Sequence, residues 1–586
     1  MWIIALLSMF GKAEASFIMV EPGVPYHNWG NLAFGDFDND GDLDVITIGD
    51  HTYQGVYSRQ AVLFRNEGNW QFTHTDFVFG EFVSGGVAWA DFNNDGWLDV
   101  ILSGAQFTSG INRPIKLFQN NAGQSFSLVD QTFHDTSYSN LIWADVDNDF
   151  DMDIITLGAL GTSSDLCIYY NLGNGEFQYD PISYLPNFIS AYTGYLSTID
   201  FNRDGYLDLS VGAAKAIGGI YSPKTLVWRR TPSGIYESVF GDDIGGGYGF
   251  AWFDYDCDGD LDFLYTGYQD NIGADTVLLL NEHSLYMVAD NCFPPIDNGD
   301  LAAADYDNDG DEDLFFSGGH SLSTVSNLYR NDGSGVFTDA DLGLQPVCES
   351  YAFWADLDND SDLDLIYTGD GWTMFYRNDV QVPNQPPSAP VLSYSPEGGF
   401  VISGAIDSAT PQPALTYDLR IGTSPGAADI YHPMADLETG YRRVTGPGRP
   451  CFTAHRLPAG YIYYASAQAI DGGFMGSAWG PEIVIDLSVA TDDQLQAPLV
   501  PKIYPNPFSD LVNIRIDALP SPNLSAGIYN LRGQMIRGLH AQNGNSETNL
   551  GWDGRDEQGN RVSNGIYYLR LIQNGHTTAH KILLIR

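Results

Sequence analysis

The sequence predicts an all-β chain, a seven-bladed β-propeller followed by two β-sandwich domains, and three observations carry that prediction. A nine-residue acidic stretch, DFDNDGDLD at Asp36, recurs at Asp91, Asp145, Asp200, Asp254, Asp305 and Asp356, in steps of 51 to 55 residues. A period near 50 residues points to a repeat architecture before any other fold. Each copy is flanked by short runs rich in β-branched and aromatic residues and bounded by turn signals, which read as strands rather than helices. Four such runs per repeat describe the blade of a propeller.

The elements follow in order. Residues 1–15 hold an apolar run from Trp2 to Phe10 and an A-x-A site at Ala13 and Ala15, the pattern of a short secretory signal; the alternative is a buried first strand. Residues 16–380 are the repeats. Within each, a first strand of small residues precedes the acidic stretch, often with an aromatic two positions ahead of its first Asp: Phe34, Trp89, Trp143, Trp252, Trp354. A second strand follows (VITIG, VILSG, IITLG and their equivalents), then a third ending in an Asn-containing turn, then a fourth opening near Phe or Tyr. The last repeat lacks a fourth strand, since MFYRND runs straight into VQVPNQPPSAP, while ASFIMVEPG before the first acidic stretch has the Phe-led pattern. The N-terminal segment is therefore expected to complete the last blade and remove the open sheet edge.

Residues 381–388 read as a linker and 389–487 as a β-sandwich with strand patterns TYDLRIG and YIYYASAQAID. GTSPG at 422–426 fits the G-x-S-x-G expression, but Pro425 follows Ser424 directly and no helix pattern follows, so a turn is expected there. Residues 488–500 form a second linker, and 501–586 a final small sandwich.

Composition narrows the function classes. The formal net charge is -49, from 26 Lys and Arg against 75 Asp and Glu, and the acids concentrate in the repeated stretches. Such a surface disfavours nucleic acid and anionic membrane, both of which need basic patches. No apolar run approaches the roughly 20 residues of a membrane span. The five cysteines are scattered and odd in number; no disulfide framework is readable, with a cross-repeat pair Cys292 and Cys348 the less favoured alternative. The eleven histidines form no metal-binding spacing, which leaves a zinc enzyme little support.

Clustered carboxylates repel by several kcal/mol at an effective dielectric near 20 unless neutralised. Alternating acids followed by Gly approach the D-x-[DN]-x-[DN]-G pattern of calcium loops. An EF-hand is excluded, because its twelfth position needs Glu and here carries Thr47, Leu102 and Thr156 in the first three copies.

The seven D-x-[DN]-x-D-x-x-x-D stretches with their following strands resemble FG-GAP/VCBS repeats, the calcium-loop propeller of integrin alpha subunits and many secreted bacterial proteins. The resemblance implies up to seven Ca2+ ions, each held by side chains at loop positions 1, 3, 5 and 9 and the carbonyl at position 7. In the first loop these are Asp36, Asp38, Asp40 and Asp44 with the carbonyl of Asp42; in the second, Asp91, Asn93, Asp95 and Asp99 with Trp97. The third offers Asp145, Asp147, Asp149 and Asp153 with Asp151; the fourth, Asp200, Asn202, Asp204 and Asp208 with Tyr206. The fifth offers Asp254, Asp256, Asp258 and Asp262 with Asp260; the sixth, Asp305, Asp307, Asp309 and Asp313 with Asp311; the seventh, Asp356, Asp358, Asp360 and Asp364 with Asp362. Asn93 and Asn202 leave the second and fourth loops one carboxylate short, and Phe150 and Ser361 replace the Gly of position 6. A positive φ there would strain a Phe.

Residues 389–487 resemble a fibronectin type III domain. YPNPF, GIYNLRGQMIR and the terminal strands resemble the C-terminal sorting domain of the type IX secretion system, which implies export to the outer cell surface and that machinery as a partner. Together these resemblances imply a non-catalytic surface adhesin binding a glycan or protein ligand on the propeller face opposite the calcium loops. The connections there offer Tyr53, Tyr57, Arg59, Phe107, Arg113, Tyr221, Tyr268, His320 and Trp372. The alternatives are a polysaccharide lyase-like enzyme, against which the isolation of Lys116, Lys215 and Lys224 argues, and a structural surface-layer spacer.

Overall fold

A computed structural model describes residues 17–488 and 501–586, apart from 26, 54, 108–111, 136, 161–162, 174, 182–194, 218–219, 241–245, 270–272, 283–284, 321–322, 334, 381, 517–523, 531–534, 540–541, 544–547 and 574–575. The expected signal, 1–15, and most of the second linker lie outside the described residues. The chain divides into two compact units, one of residues 1–457 and 462–486 and the other of 458–461 and 487–586.

The first unit is all-β, with one three-residue helix, Gln412–Ala414, among its described residues. Seven antiparallel sheets follow one another through the repeats in a propeller-like arrangement, each built from four strands, with a fifth, Val56–Ser58, added to the first sheet. The acidic loop joins first strand to second, and the second strand always opens on the loop's last Asp, as in Asp44–Tyr53, Asp99–Ser103 and Asp153–Leu160. The last sheet is assembled from both ends of the repeat region. Phe17–Val20 pairs antiparallel with Trp372–Asn378, matching Phe17 to Asn378 and Val20 to Phe375, and gives that sheet its outer strand.

Aromatic and branched residues make these strands because they are buried on both faces between neighbouring sheets. Ile46, Leu63 and Phe37 of the first sheet pack with Trp89, Val100 and Phe118 of the second in one core. Phe34, Val45 and Phe64 share another core with Leu357, Ile366 and Phe375 of the last sheet. First and last sheets are thus packed neighbours. At three loops the Trp ahead of the loop reaches across to the preceding inner strand: Trp89 Nε1 donates to Ala33 O at 3.3 Å, Trp143 to Ala88 O at 3.4 Å and Trp354 to Ala302 O at 3.2 Å. A Cβ on Gly35 would meet the Trp89 ring at 2.8 Å, so the small residue beside this aromatic is sterically required.

The inner strands surround a cavity of about 700 Å³, lined by residues of every sheet, among them Asn31, Trp89, Asn140, Tyr195, Phe250, Asp300 and Tyr351. Residues 444–450 of the following region line it as well. That region contributes a two-stranded sheet, Val391–Ser395 with Gly399–Ser403, and a three-stranded one, Thr416–Gly422, Ile462–Ile470 and Ile483–Asp486. GTSPG closes a turn, with Ala427 N donating to Ser424 O at 3.1 Å. The segment expected as a linker is fastened: Asn384 is buried, its N donates to Ser361 O at 3.1 Å and its Nδ2 to Asp471 Oδ2 at 2.9 Å.

In the second unit two four-stranded sheets share a core of Phe508, Ile514, Ile528, Trp552, Leu569 and Ile582.

Candidate metal loops and the face opposite

The loops share one local scaffold. The position 1 carboxylate accepts the N–H groups of positions 5 and 6: Asp36 from Asp40 and Gly41 at 3.1 Å each, Asp254 from Asp258 at 3.0 Å and Gly259 at 2.9 Å. The position 9 carboxylate accepts the N–H of position 2 and that of the last residue of the third strand, as Asp44 does from Phe37 at 3.1 Å and Asn66 at 2.8 Å. Positions 4 and 6 are left-handed throughout, from φ 57 at Asn39 and 90 at Gly41 to 57 at Asn359 and 76 at Ser361. Asn and Gly tolerate that conformation, which is why they fill most of these positions.

Position 4 also ties six of the loops to the next, all but the fourth, where Arg203 turns to the Pro413 carbonyl instead. Asn39 Nδ2 donates to Gly96 O at 3.1 Å, Asn94 to Asp151 Oδ1 at 3.2 Å, Asn148 to Gly205 O at 3.1 Å and Asn308 to Asp362 Oδ1 at 2.9 Å. Asn359 returns to Gly41 O at 3.0 Å, joining the seventh loop to the first. The Asn ending the third strand works in the other direction: Asn120 Nδ2 donates to Phe37 O at 2.8 Å, Asn171 to Phe92 O at 2.7 Å, Asn378 to Tyr306 O at 2.8 Å, and Asn66 to Leu357 O at 2.9 Å. The sequence shows this Asn at six of seven strand ends, with Arg230 in the fourth. Its repetition was the signal; its bonds could not be read from it.

In five loops three carboxylates bring oxygens within 4.8 Å of one another: Asp36, Asp38 and Asp40; Asp145, Asp147 and Asp153; Asp254, Asp256 and Asp262; Asp305, Asp307 and Asp313; Asp356, Asp358 and Asp360. Among the described residues the second and fourth loops form no such triad, because Asn93 and Asn202 stand at position 3. Asn93 turns its amide onto Asp95, Nδ2 to Oδ2 at 3.0 Å, and Asn202 does the same to Asp204 at 3.1 Å. Burial pushes these carboxyls up, with neighbouring acids adding to it: Asp36 to about 6, Asp356 to about 7, and Asp313 well above its usual value. Position 3 oxygens of the first and seventh loops, Asp38 Oδ1 and Asp358 Oδ1, are buried and accept no hydrogen bond. Hard-oxygen donors, convergent and lacking hydrogens of their own, fit a cation such as Ca2+.

The region after the repeats sits on these loops. Arg443 Nη1 donates to Gly96 O at 2.6 Å and Asn39 Oδ1 at 3.2 Å, and His432 Nδ1 stands 3.5 Å from Asp91 Oδ2. His455 Nε2 lies 2.9 Å from Asp145 Oδ2, while Arg449 Nη2 donates to Asp145 O at 3.2 Å and Asn148 Oδ1 at 3.1 Å. Burial would raise the Asp145 carboxyl, but His455 and Arg449 bring it below its usual value. Phe150 has φ 78, the strained conformation expected, and its ring is buried against His455 at 4.9 Å, Tyr431 at 5.8 Å and Phe400 at 6.2 Å. A side chain where other loops have Gly thus plugs into the next region's core.

On the face opposite, the structure brings three candidates together. Tyr57 Oη donates to Asp50 Oδ2 at 2.8 Å, Arg59 Nε to Asp50 Oδ1 at 3.0 Å, and the Arg59 guanidinium lies 4.5 Å from the Phe107 ring centroid. Tyr57 and Phe107 are 58% and 42% exposed. Trp372 is exposed and Arg113 half-buried, neither joined to that cluster by a described contact. The side chains of Tyr53, Tyr221, Tyr268 and His320 lie outside the described residues. Asp50, which organises the cluster, was missed by the sequence reading. Several connections expected here as loops are continued strands: Asp208–Ile217 pairs with Ile220–Arg230 as far as Ile217 with Ile220, because the ladder bonds keep forming along the run. None of the five cysteines is in a disulfide, and Cys348 Sγ donates to Asp370 Oδ1 at 3.2 Å rather than pairing with Cys292.

Residues 36–102 and 305–367 match the FG-GAP-like repeat, and residues 502–585 match the secretion system C-terminal sorting domain. That tail supports a secreted or outer-surface protein. No curated protein matches the chain. Among solved structures it is similar to a mutant of the Aleuria aurantia lectin in complex with alpha-methyl-L-fucoside, at 10% identity over 56% of this chain and 96% of that one, TM-score 0.30. It is also similar to MPT-4, a mannose phosphorylase from Leishmania mexicana in complex with phosphate, at 9% identity over 63% and 83%, TM-score 0.24.

Proposed function

We propose that the protein is an exported, non-catalytic binding protein whose seven sheets are the blades of a closed β-propeller, stabilised by calcium in the acidic loops and presenting a glycan- or protein-binding surface on the opposite face. Residues 389–487 act in this reading as a fibronectin type III-like cap, and the tail hands the chain to the type IX machinery. Calcium at loop positions 1, 3, 5 and 9 would supply positive charge where burial and mutual repulsion make ionised carboxylates costly. The chain's own residues do the rest: backbone N–H groups aim the first and last Asp of each loop, and the Asn ties hold neighbouring loops in register.

The observation that carries the binding assignment is the exposed Tyr57, Arg59 and Phe107 cluster, ordered by Asp50 and set at the strand ends farthest from the loops. Aromatic faces and a fixed guanidinium suit the apolar faces and hydroxyls of a sugar or an extended peptide. A glycan array on the full protein, beside an activity screen on uronic-acid polymers, tests it. Binding lost on Arg59→Ala without turnover supports the reading. Turnover would replace it with the lyase, and a protein that binds nothing would be a spacer.

A further inference from the structure

The seven loops are chemically alike in sequence but differ in what covers them. Among the described residues, cationic or imidazole side chains of the cap come within ion-pair distance of loop carboxylates at two loops only, the second through His432 and the third through His455 and Arg449. Arg443 adds a bond to the second loop's Gly96 carbonyl and reaches the first loop as well, through the Asn39 amide oxygen and through its own carbonyl, which accepts from Asp36 N at 3.0 Å, but it pairs with no first-loop carboxylate. At the fourth loop Cys451 Sγ lies 3.3 Å from Asp200 Oδ2, and Arg203 reaches back to the Pro413 carbonyl. The contacts with the fifth and sixth loops are of another kind, Pro413 against Gly259 and Gly472 O accepting from Asp305 N at 3.2 Å, and at the seventh the segment leading into the cap places Asn384 N on Ser361 O at 3.1 Å.

This division matches the loops' own chemistry. The second and fourth have lost the position 3 carboxylate and hold three acids each, against five or six elsewhere. The third keeps its acids but has exchanged Gly for the Phe150 plug, and its position 1 carboxylate is already engaged by His455. The first and seventh each retain one position 3 oxygen, Asp38 Oδ1 and Asp358 Oδ1, that accepts nothing, the other oxygen being held by Arg65 Nε at 3.0 Å and by Trp70 Nε1 at 2.8 Å. We propose that the second, third and fourth loops are the seat on which the cap is latched, through His432 and Arg443 at the second, His455 and Arg449 at the third and Cys451 at the fourth, and that only the first, fifth, sixth and seventh loops take a divalent ion. The proposal rests on the calcium reading above and assigns the loops within it.

The test is a count of tightly bound calcium on the full chain, by elemental analysis after equilibrium dialysis, with limited proteolysis between residues 381 and 388 reporting whether the cap is seated. Four ions per chain are expected. The double variant Arg449→Ala, His455→Ala should bind a fifth and expose the segment to cleavage; should it fail to fold, Phe150→Gly gives the same two readouts from the loop side. Seven ions in the parent would overturn the division while leaving the calcium reading intact, and none would overturn both. Four ions with a latch variant that still resists cleavage and still binds four would overturn the latch.

Discussion

The two faces of the ring are built on opposite plans. The loop face repeats one solution seven times, is strongly acidic, and is covered by residues 389–487. On the other face, among the described residues, strand ends differ in length from sheet to sheet, and a side-chain cluster like the one around Arg59 is found once. Repetition marks what every sheet needs in order to pack against the next, whereas a feature found once cannot serve the ring as such. Changes on the loop face should therefore be read in stability, and changes on the opposite face in binding.

The largest expected effect is calcium removal. An ion that binds only the folded chain stabilises it by about 2.7 kcal/mol per site at a hundredfold excess, and several sites compound. Melting with and without chelator should differ by tens of degrees, and equal melting temperatures would erase the contrast between faces. Deleting residues 17–20 comes next, since it reopens a sheet edge and removes Phe17 from its contacts with Tyr306 and Trp354, 5.6 and 6.3 Å between ring centroids; a loss of about 3–5 kcal/mol is expected in denaturant melts. Phe150→Gly relieves about 1 kcal/mol of left-handed strain but forfeits about 3 kcal/mol or more of burial, for a net loss of about 2 kcal/mol. A stabilised variant would mean the plug is not seated.

Asp300, in the cavity between the faces, gives a smaller effect with a definite sign. Burial pushes its carboxyl from 3.8 up to about 7, so the unfolded chain releases this proton first and stability falls as pH rises between those values. Asp300→Asn should flatten that slope by no more than about 2 kcal/mol, since the side chain is half-buried and accepts the N–H of Ala352 at 2.9 Å; parallel slopes in parent and variant melts would place the titration elsewhere. The smallest effect on stability belongs to Arg59→Ala, which should leave the melting temperature unchanged while weakening ligand binding by about tenfold or more on a glycan surface.

Local chemistry repeated along the chain is legible in the sequence. The loops and their flanking strands follow from patterns within some fifty residues, and the N-terminal strand completing the last sheet from the fourth strand that the last repeat lacks. Phe150 was visible as an exception and its strain could be anticipated, but not its compensation, because Tyr431 and His455 lie about 300 residues away in sequence. The same distance hid the seating of Arg449 on the Asp145 loop. On the opposite face, aromatic residues could be picked out, yet only geometry shows that Tyr57, Arg59 and Phe107 meet through Asp50. Several of the expected loops there turned out to be continued strands because alternation alone does not say where a ladder stops.

The manner in which the last sheet is assembled sets how the ring would carry a mechanical load. Trp372–Asn378 is the strand through which the chain leaves the ring, and it is not at an edge: Phe17–Val20 flanks it on one side and Asp364–Gly369 on the other, both antiparallel. Once the Asn384 bonds and the contacts of residues 389–487 with the loops have given way, tension on the chain beyond Asn378 runs along the strand, while its ladder bonds run across it. All of them resist together in shear, where a strand peeled from an edge would give way one bond at a time. A protein held at a cell surface while drag acts on what it has bound would meet that force with the strongest arrangement a sheet offers.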